Sequence, residues 1–174
     1  MTAALFSVMA IFSVAALAEG GDDGYKLGVG DKIGISVLNE PDLSLEVTVN
    51  DQGRITYPFL GELRVSGVTV QGLREAIANG LKPDYLLDPR VTVHVVAYRN
   101  FYINGEVEKP GGFPWEPGMT VRKAAAMAGG FTDRASRSRI FVIRENDLAR
   151  IPVQISADTP VQPGDIITIE QSFF

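Results

Sequence analysis

Apolar and polar residues alternate in several short stretches of this chain, which is the pattern of half-buried β-strands. In residues 25–37 three branched apolar residues alternate with Gly34 and Ser36 before the stretch ends. Residues 90–98 show the same period of two, with Thr92 and His94 on the polar face. Further strands are predicted over residues 101–107, 139–144, 148–153 and 166–170.

A β-hairpin is predicted between residues 46–50 and 54–59. The two segments flank Asp51-Gln52-Gly53, a short turn in which Gly53 would supply a positive φ. The alternating segments on either side would then pair directly.

Two segments have the 3.6-residue period of helices instead. Thr69 is a suitable N-cap for a helix over residues 70–81, which places four apolar side chains in one stripe. Pro83 would end this helix. The fold class predicted from the alternation of strands and helices is α+β, with the order strands, helix, strands occurring twice.

The second helix is predicted over residues 121–128, with Thr120 as its N-cap and Gly129-Gly130 as its stop. Small residues on one side of this helix would let it lie close to a sheet. The chain reaches the helix through a turn that contains Pro110-Gly111.

One short motif occurs twice, once near each end of the chain. Gly30-Asp31 and Gly164-Asp165 both stand directly before an alternating strand. The favoured interpretation is a recurrent turn, in which glycine permits the tight backbone and Asp caps neighbouring amides without any ligand.

The first eighteen residues carry no charged side chain. Residues 3–17 are too few to cross a bilayer comfortably, since a spanning helix takes about 20 residues. Ala16-Leu17-Ala18 has the small-x-small pattern of a signal-peptidase site, so residues 1–18 are predicted to be a signal peptide followed by a flexible acidic segment over 19–24. The basic residues that usually open a signal peptide are missing, which leaves a buried helix or an uncleaved anchor as alternatives.

Composition narrows the classes of function. Apolar residues make up 45% and charged residues 21% of the chain, as in ordinary folded proteins. There is no cysteine, which excludes disulfides, thiolate catalysis and zinc–thiolate sites. The net charge of −5 argues against a nucleic-acid partner.

No motif indicates catalysis, a cofactor or a metal. Gly28, Gly30 and Gly34 fit neither the dinucleotide nor the phosphate-loop spacing. His94, the single histidine, lies in a predicted strand without a triad or metal-ligand context. Paired carboxylates that cleave a sugar polymer remain an alternative, because such pairs form only in the folded chain.

Two groups of basic residues are candidates for contact with a polymer or a subunit. Arg122 and Lys123 occupy the first turn of the second helix, where the helix dipole disfavours positive charge. A carboxylate of a neighbouring subunit, an anionic sugar unit or water alone would compensate. Arg134, Arg137 and Arg139 form the second group, for which a solvated loop is the plainer interpretation.

The motifs in their order resemble a known family. The first half of the chain resembles the polysaccharide biosynthesis/export domain. The resemblance lies in residues 25–77, YKLGVGDKIGISVLNEPDLSLEVTVNDQGRITYPFLGELRVSGVTVQGLREAI, and in the later stretch YLLDPRVTVHVVAY. The second half is similar to a soluble-ligand-binding β-grasp (SLBB) module of the outer-membrane polysaccharide export family. The similarity lies in the segments INGEVEKPGGFPWEPGMTVRKAAAMAGGFT and VQPGDIITIEQSFF. The resemblance implies an export domain over 25–98 and an SLBB domain over 99–174.

The resemblance further implies a non-enzymatic periplasmic protein that guides capsule or exopolysaccharide from an inner-membrane polysaccharide copolymerase towards the outer membrane. Family members form closed rings, often octamers. Larger members carry a lipid-bearing cysteine and a pore-lining C-terminal helix, and this sequence shows neither, so a short form with an outer-membrane β-barrel partner is expected. The alternative function is a monomeric carbohydrate-binding module without a transport role.

Overall fold

A computed structural model describes residues 24–172 of the chain. The predicted signal peptide and the flexible segment after it, apart from Gly24, lie outside the described residues. Within the described range the structure has two α-helices and three β-sheets, and the prediction of an α+β fold is confirmed. No helix in this part of the chain is long and apolar enough to cross a membrane.

The elements follow one another as strands, a helix and strands, twice over. The helices are α1 (Val70–Leu81) and α2 (Val121–Met127). The strands are β1 (Lys32–Val37), β2 (Leu45–Thr48), β3 (Arg54–Tyr57), β4 (Gly61–Arg64), β5 (Val91–Ala97), β6 (Phe101–Gly105), β7 (Gly111–Phe113), β8 (Ala135–Ile143), β9 (Val153–Ile155) and β10 (Ile166–Gln171).

The first module packs one helix against two small sheets. Strands β2, β1 and β5 form an antiparallel sheet in that order, β3 pairs with β4, and α1 lies against β5. Alternation along β1 buries Ile33, Ile35 and Val37, and the stripe of α1 adds Leu73 and Ile77 to the same core. Thr69 caps α1 as predicted, since its Oγ1 accepts a hydrogen bond from the amide of Gly72.

The second module has a five-stranded sheet in the order β7, β6, β10, β8, β9. Strands β6 and β10 run parallel and the other pairs are antiparallel. Ala124, Ala125 and Ala128 are fully buried and belong to the same hydrophobic core as the inward-facing residues of the sheet. A separate hydrophobic core results, centred on Phe101 and Ile167.

The predicted hairpin is wrong, although its turn exists. Gly53 has a φ of +73° and its amide bonds the carbonyl of Asn50, as a tight turn requires. The strands then diverge, because β2 pairs with β1 and β3 pairs with β4. Turn chemistry is local, whereas the choice of strand partner depends on which apolar faces share a core.

Two strand predictions near the end of the chain also need correction. The strand predicted over 139–144 begins four residues earlier, at Ala135, and the one predicted over 148–153 is replaced by β9, which only begins at Val153. Leu148 and Ile151 lie exposed in the connecting loop. Strands β4 and β7 were not predicted, since four- and three-residue segments carry too little alternation to identify.

Candidate functional site

A buried carboxylate lies where the two modules meet. Asp31 follows the Gly30 turn and its side chain is fully buried. Its Oδ2 accepts hydrogen bonds from the Tyr25 hydroxyl at 2.7 Å and the Gly28 amide at 2.8 Å. Its Oδ1 accepts the amide of Arg99 at 2.8 Å. Asp31 therefore joins the N-terminal end of the first module to Arg99, which lies two residues after β5.

The guanidinium of Arg99 connects this carboxylate to the second module. Its Nη1 lies 3.0 Å from Oδ2 of Asp31 and 2.5 Å from the Tyr25 hydroxyl, and its Nε donates to Oε2 of Glu145 at 2.5 Å. Only 11% of the Arg99 side chain is exposed. Burial works to lower the pKa of Arg99, but the charges and hydrogen bonds of its partners outweigh it and raise the pKa. Arg99 is consequently a permanent cation held between two carboxylates.

Three aromatic rings continue the contact between the modules. Tyr98 meets Tyr25 edge to face with 5.0 Å between ring centroids, and it meets Trp115 in the same way at 4.7 Å. Trp115 is anchored because its Nε1 donates to the carbonyl of Val161 at 2.6 Å. Burial raises the pKa of Tyr25, so its hydroxyl remains protonated and available as a donor to Asp31.

An open cleft of about 270 Å³ lies beside these rings, between the two modules. We call it the inter-module cleft. Its lining residues are Gly24, Tyr25, Lys26, Arg99, Trp115, Asn146, Gln162 and Pro163. The first three come from the first module and the last four from the second, so the cleft exists only while the modules are joined.

The second Gly-Asp turn repeats the geometry of the first. Gly30 and Gly164 have φ of +90° and +83°. Asp165 accepts the amide three residues before it, at 2.7 Å, as Asp31 does, and it also receives an arginine, Nη1 of Arg144 at 2.5 Å. The turn interpretation of the repeated motif agrees with these bonds.

Asp165 differs from Asp31 in one respect. Its side chain is almost fully buried and its Oδ1 has no hydrogen-bond partner among the described residues. Burial raises the pKa of Asp165, against the opposing effects of the Gln162 amide and Arg144. The carboxyl is therefore easier to protonate than an exposed one.

Arg122 and Lys123, the two basic residues in the first turn of α2, contact acceptor groups within the same chain. The guanidinium of Arg122 lies 3.0 Å from Oδ1 of Asp158, and Nζ of Lys123 donates to the carbonyl of Gly118 at 2.8 Å. Neither a neighbouring subunit nor a sugar is needed to balance the helix dipole. Both side chains are exposed, and their contact with a polymer or a subunit stays a prediction.

Of the other three arginines, Arg137 and Arg139 lie on β8, whereas Arg134 lies in the exposed turn before it. Arg134 bonds Gln171 at 2.6 Å, Arg137 lies over the ring of Phe131, and Arg139 forms an ion pair with Glu170. The structure does not bring them together with the inter-module cleft, since none of them lines it. Their contact with polymer also stays a prediction.

The remaining turn residues lie at chain reversals. Pro110 and Gly111 lead into β7, and Gly129 and Gly130 follow α2 with positive φ. The amide of Gly130 bonds the carbonyl of Ala125, which satisfies an orphan group at the end of α2.

Sequence reasoning missed the residues that join the modules. Arg99 and Glu145 are 46 positions apart, and neither belongs to a motif. The one signal available was Trp115, the single tryptophan of the chain, in a Pro-rich turn. Among residues 24–172, no group of three or more His, Asp and Glu side chains is placed to hold a metal ion.

Each of the two modules matches a known protein family. Residues 19–96 match the family described as polysaccharide biosynthesis/export protein, and residues 100–153 match the SLBB domain. The two matches meet next to Arg99, the residue that links the modules in the structure.

Curated proteins of other bacteria are similar to most of this chain and are longer than it. The exopolysaccharide production protein ExoF of Rhizobium meliloti (strain 1021) is 33% identical over 171 residues, which cover 87% of this chain and 38% of ExoF. The EPS I polysaccharide export outer membrane protein EpsA of Ralstonia nicotianae is 28% identical, over 84% of this chain and 47% of EpsA. EpsA of Ralstonia solanacearum is 30% identical, over 84% of this chain and 48% of EpsA. The chain thus spans less than half the length of these relatives.

Proposed function

This chain belongs to the polysaccharide biosynthesis/export family and carries an SLBB domain after the export domain, and on that premise we propose that it is a periplasmic component of a capsule or exopolysaccharide export system. In this role it forms or extends a conduit between an inner-membrane polysaccharide copolymerase and an outer-membrane partner. The observation that carries the proposal is the match of both domains to this chain, together with its similarity to exopolysaccharide production and export proteins.

The relatives indicate export and not catalysis. ExoF is named for exopolysaccharide production and the EpsA proteins for polysaccharide export at the outer membrane. In the described residues the buried acids are engaged with arginines, as Asp31 is with Arg99 and Asp165 with Arg144. Buried acids held by cations support a structural role for them.

A conduit needs subunits that keep their shape, and the junction between the modules supports this. Arg99 bonds carboxylates of both modules while its side chain is nearly buried. Charge-assisted hydrogen bonds are stronger and more directional than neutral ones. Such a junction would hold the two modules in one orientation in every subunit of an assembly.

A conduit also needs subunit interfaces, and each module offers an exposed apolar surface. In the first module Phe59 and Tyr85 stack with ring centroids 4.8 Å apart, close in sequence to the exposed Leu87. In the second module the loop before β9 exposes Leu148 and Ile151. Two different surfaces on one chain are what a head-to-tail interface uses, and repetition of such an interface closes a ring.

Strand edges give further support to an assembly. The five-stranded sheet ends at β7 and β9, and the three-stranded sheet ends at β2 and β5. In the described residues no further strand pairs with these edges. Open edges are commonly covered by a neighbour in assemblies.

The export role is tested by deletion of the gene. Total and surface-exposed polysaccharide are measured in the deletion strain and in the strain complemented with the wild-type chain. We expect polymer to be synthesised but not displayed at the surface, and display to return with the complementing gene. Unchanged surface polymer in the deletion strain would contradict the proposal.

The ring is tested by the mass of the purified protein. We expect an oligomer in native mass spectrometry, and Leu148→Asp should dissociate it, because it places a charge in one of the two exposed apolar surfaces proposed as the interface while disturbing no packing within the subunit. Glu75→Gln, at an exposed polar position on α1, serves as the matched control. A stable monomer at high concentration that binds sugar would favour the alternative, a carbohydrate-binding module without a transport role.

A further inference from the structure

The inter-module cleft has the features of a site for one unit of a sugar polymer. We propose that it binds an acidic sugar residue, one that carries a carboxylate, within the exported polysaccharide. The choice of polymer rests on the proposed function, whereas the acidic chemistry follows from the residues that line the cleft.

The size of the cleft suits a small ligand. Its volume of about 270 Å³ is just below the range of about 300–1,000 Å³ that drug-sized ligands occupy, and is enough for one or two sugar rings. The cleft opens to solvent, so a polymer can enter it sideways without a free end.

The lining combines an aromatic wall with polar groups. Trp115 is half-buried, with its Nε1 bonded to Val161, so its ring is held in place beside the cleft. The exposed side chains of Asn146 and Gln162 offer amide donors and acceptors. A sugar ring has an apolar C–H face and an edge of hydroxyl groups, and this lining matches both.

The charge of the lining selects an acidic sugar. Lys26 is exposed at the cleft, and among residues 24–172 no carboxylate lies within ion-pair distance of it. Arg99 lines the same cleft, but Asp31 and Glu145 already compensate its charge. Among the described residues that line the cleft, Lys26 is therefore the cationic group left for a ligand. A carboxylate on the ligand would complement Lys26 by a charge-assisted hydrogen bond.

The cleft is preorganised by the junction beneath it. The side chain of Arg99 is fixed by Asp31 and Glu145 before any ligand arrives. Binding therefore does not have to order this side chain, which reduces the entropic cost of association. Because both modules contribute lining residues, the bound sugar would also hold the modules together.

The test uses the intrinsic fluorescence of Trp115, which is the only tryptophan of the chain and lines the cleft. The purified protein is titrated with trigalacturonic acid and, separately, with neutral maltotriose. We expect a saturable fluorescence change with the acidic trisaccharide and a binding at least about tenfold weaker for the neutral one.

Two lysine variants give the matched comparison. Lys26→Gln should weaken trigalacturonate binding about tenfold, whereas Lys82→Gln, an exposed lysine at the end of α1 that does not line the cleft, should leave it unchanged. Absence of a saturable change, equal binding of both sugars, or equal effects of the two variants would overturn the proposal. Surface display of polymer in the complemented deletion strain is measured independently, so failure of the cleft and failure of the export role are distinguishable.

Discussion

Arg99 reaches Asp31 through two different groups, its backbone amide at 2.8 Å from Oδ1 and its guanidinium at 3.0 Å from Oδ2. The carboxylate thus fixes both the backbone and the side chain of a residue that lies between β5, in the first module, and β6, in the second. A single buried acid therefore connects the folding of the first module to the position of the second.

Asp31→Asn is expected to lower the free energy of unfolding by about 3 kcal/mol, because it breaks a buried ion pair and leaves Glu145, which is partly exposed, as the remaining carboxylate partner of Arg99. Urea denaturation measures the change. Asp158→Asn breaks an exposed ion pair with Arg122 and should change stability by no more than about 0.5 kcal/mol. Equal effects of the two substitutions would show that burial of Asp31 has no energetic consequence.

Tyr57→Phe tests a second buried polar contact. The Tyr57 hydroxyl is buried and donates to the carbonyl of Leu43 at 2.8 Å, so its removal leaves that carbonyl without this donor. We expect a loss of about 1–2 kcal/mol in the free energy of unfolding. Tyr102→Phe, in a half-exposed ring of β6, is the control and should be nearly neutral. A neutral Tyr57→Phe would mean that water replaces the lost hydroxyl.

Gly105→Ala is expected to be strongly destabilising. Gly105 has a φ of +84°, and a Cβ there would lie 2.0 Å from the carbonyl oxygen of Ile169 on the parallel partner strand. We expect a loss of at least about 2 kcal/mol, measured by thermal or urea unfolding. Gly111→Ala has open space around the added methyl group and should be neutral. A tolerated Gly105→Ala would contradict the close approach of β6 and β10.

The stability contribution of Asp165 should depend on pH. Burial raises its pKa above the ordinary value of 3.8, so the folded chain binds this proton more tightly than the unfolded chain. The contribution of Asp165 to the free energy of unfolding is therefore greatest below its pKa in the unfolded chain, and it is lost as pH rises through its pKa in the folded chain. The unfolding free energy of the wild type minus that of Asp165→Asn should be larger at about pH 4.5 than at about pH 7.5.

Urea unfolding of both proteins at the two pH values measures this difference. Gln154→Ala, at an exposed position that does not titrate, should show a difference from the wild type that is the same at both pH values. A difference for Asp165→Asn that grows with pH would reverse the sign and refute the expected shift.

Much of the local structure could be predicted because its causes lie within a few residues. Helix α1 occupies the predicted residues, since its N-cap Thr69, its apolar stripe and the proline after it are all close in sequence. The two Gly-Asp turns were recognisable for the same reason: each Asp bonds an amide only three residues away.

Strand partners could not be predicted from the same local signals. The turn at Gly53 predicted a hairpin, yet β2 pairs with β1 and β3 with β4. Likewise Arg137 precedes the strand predicted over 139–144, and it lies on β8 because the pairing of this strand with β10 extends back to Ala135. Pairing is decided by which apolar faces can be buried together, and this is a property of the whole sheet.

The α+β class, the two helices and the family resemblance could be predicted from the sequence, because periodicity, caps and motifs each lie within a few consecutive residues. The junction between the modules and the cleft beside it depend instead on contacts between distant residues. Arg99 and Glu145 are 46 residues apart, and Arg99 and Asp31 are 68 apart. Their attraction acts over a few ångströms, so it becomes visible only once both cores have folded and brought the charges together.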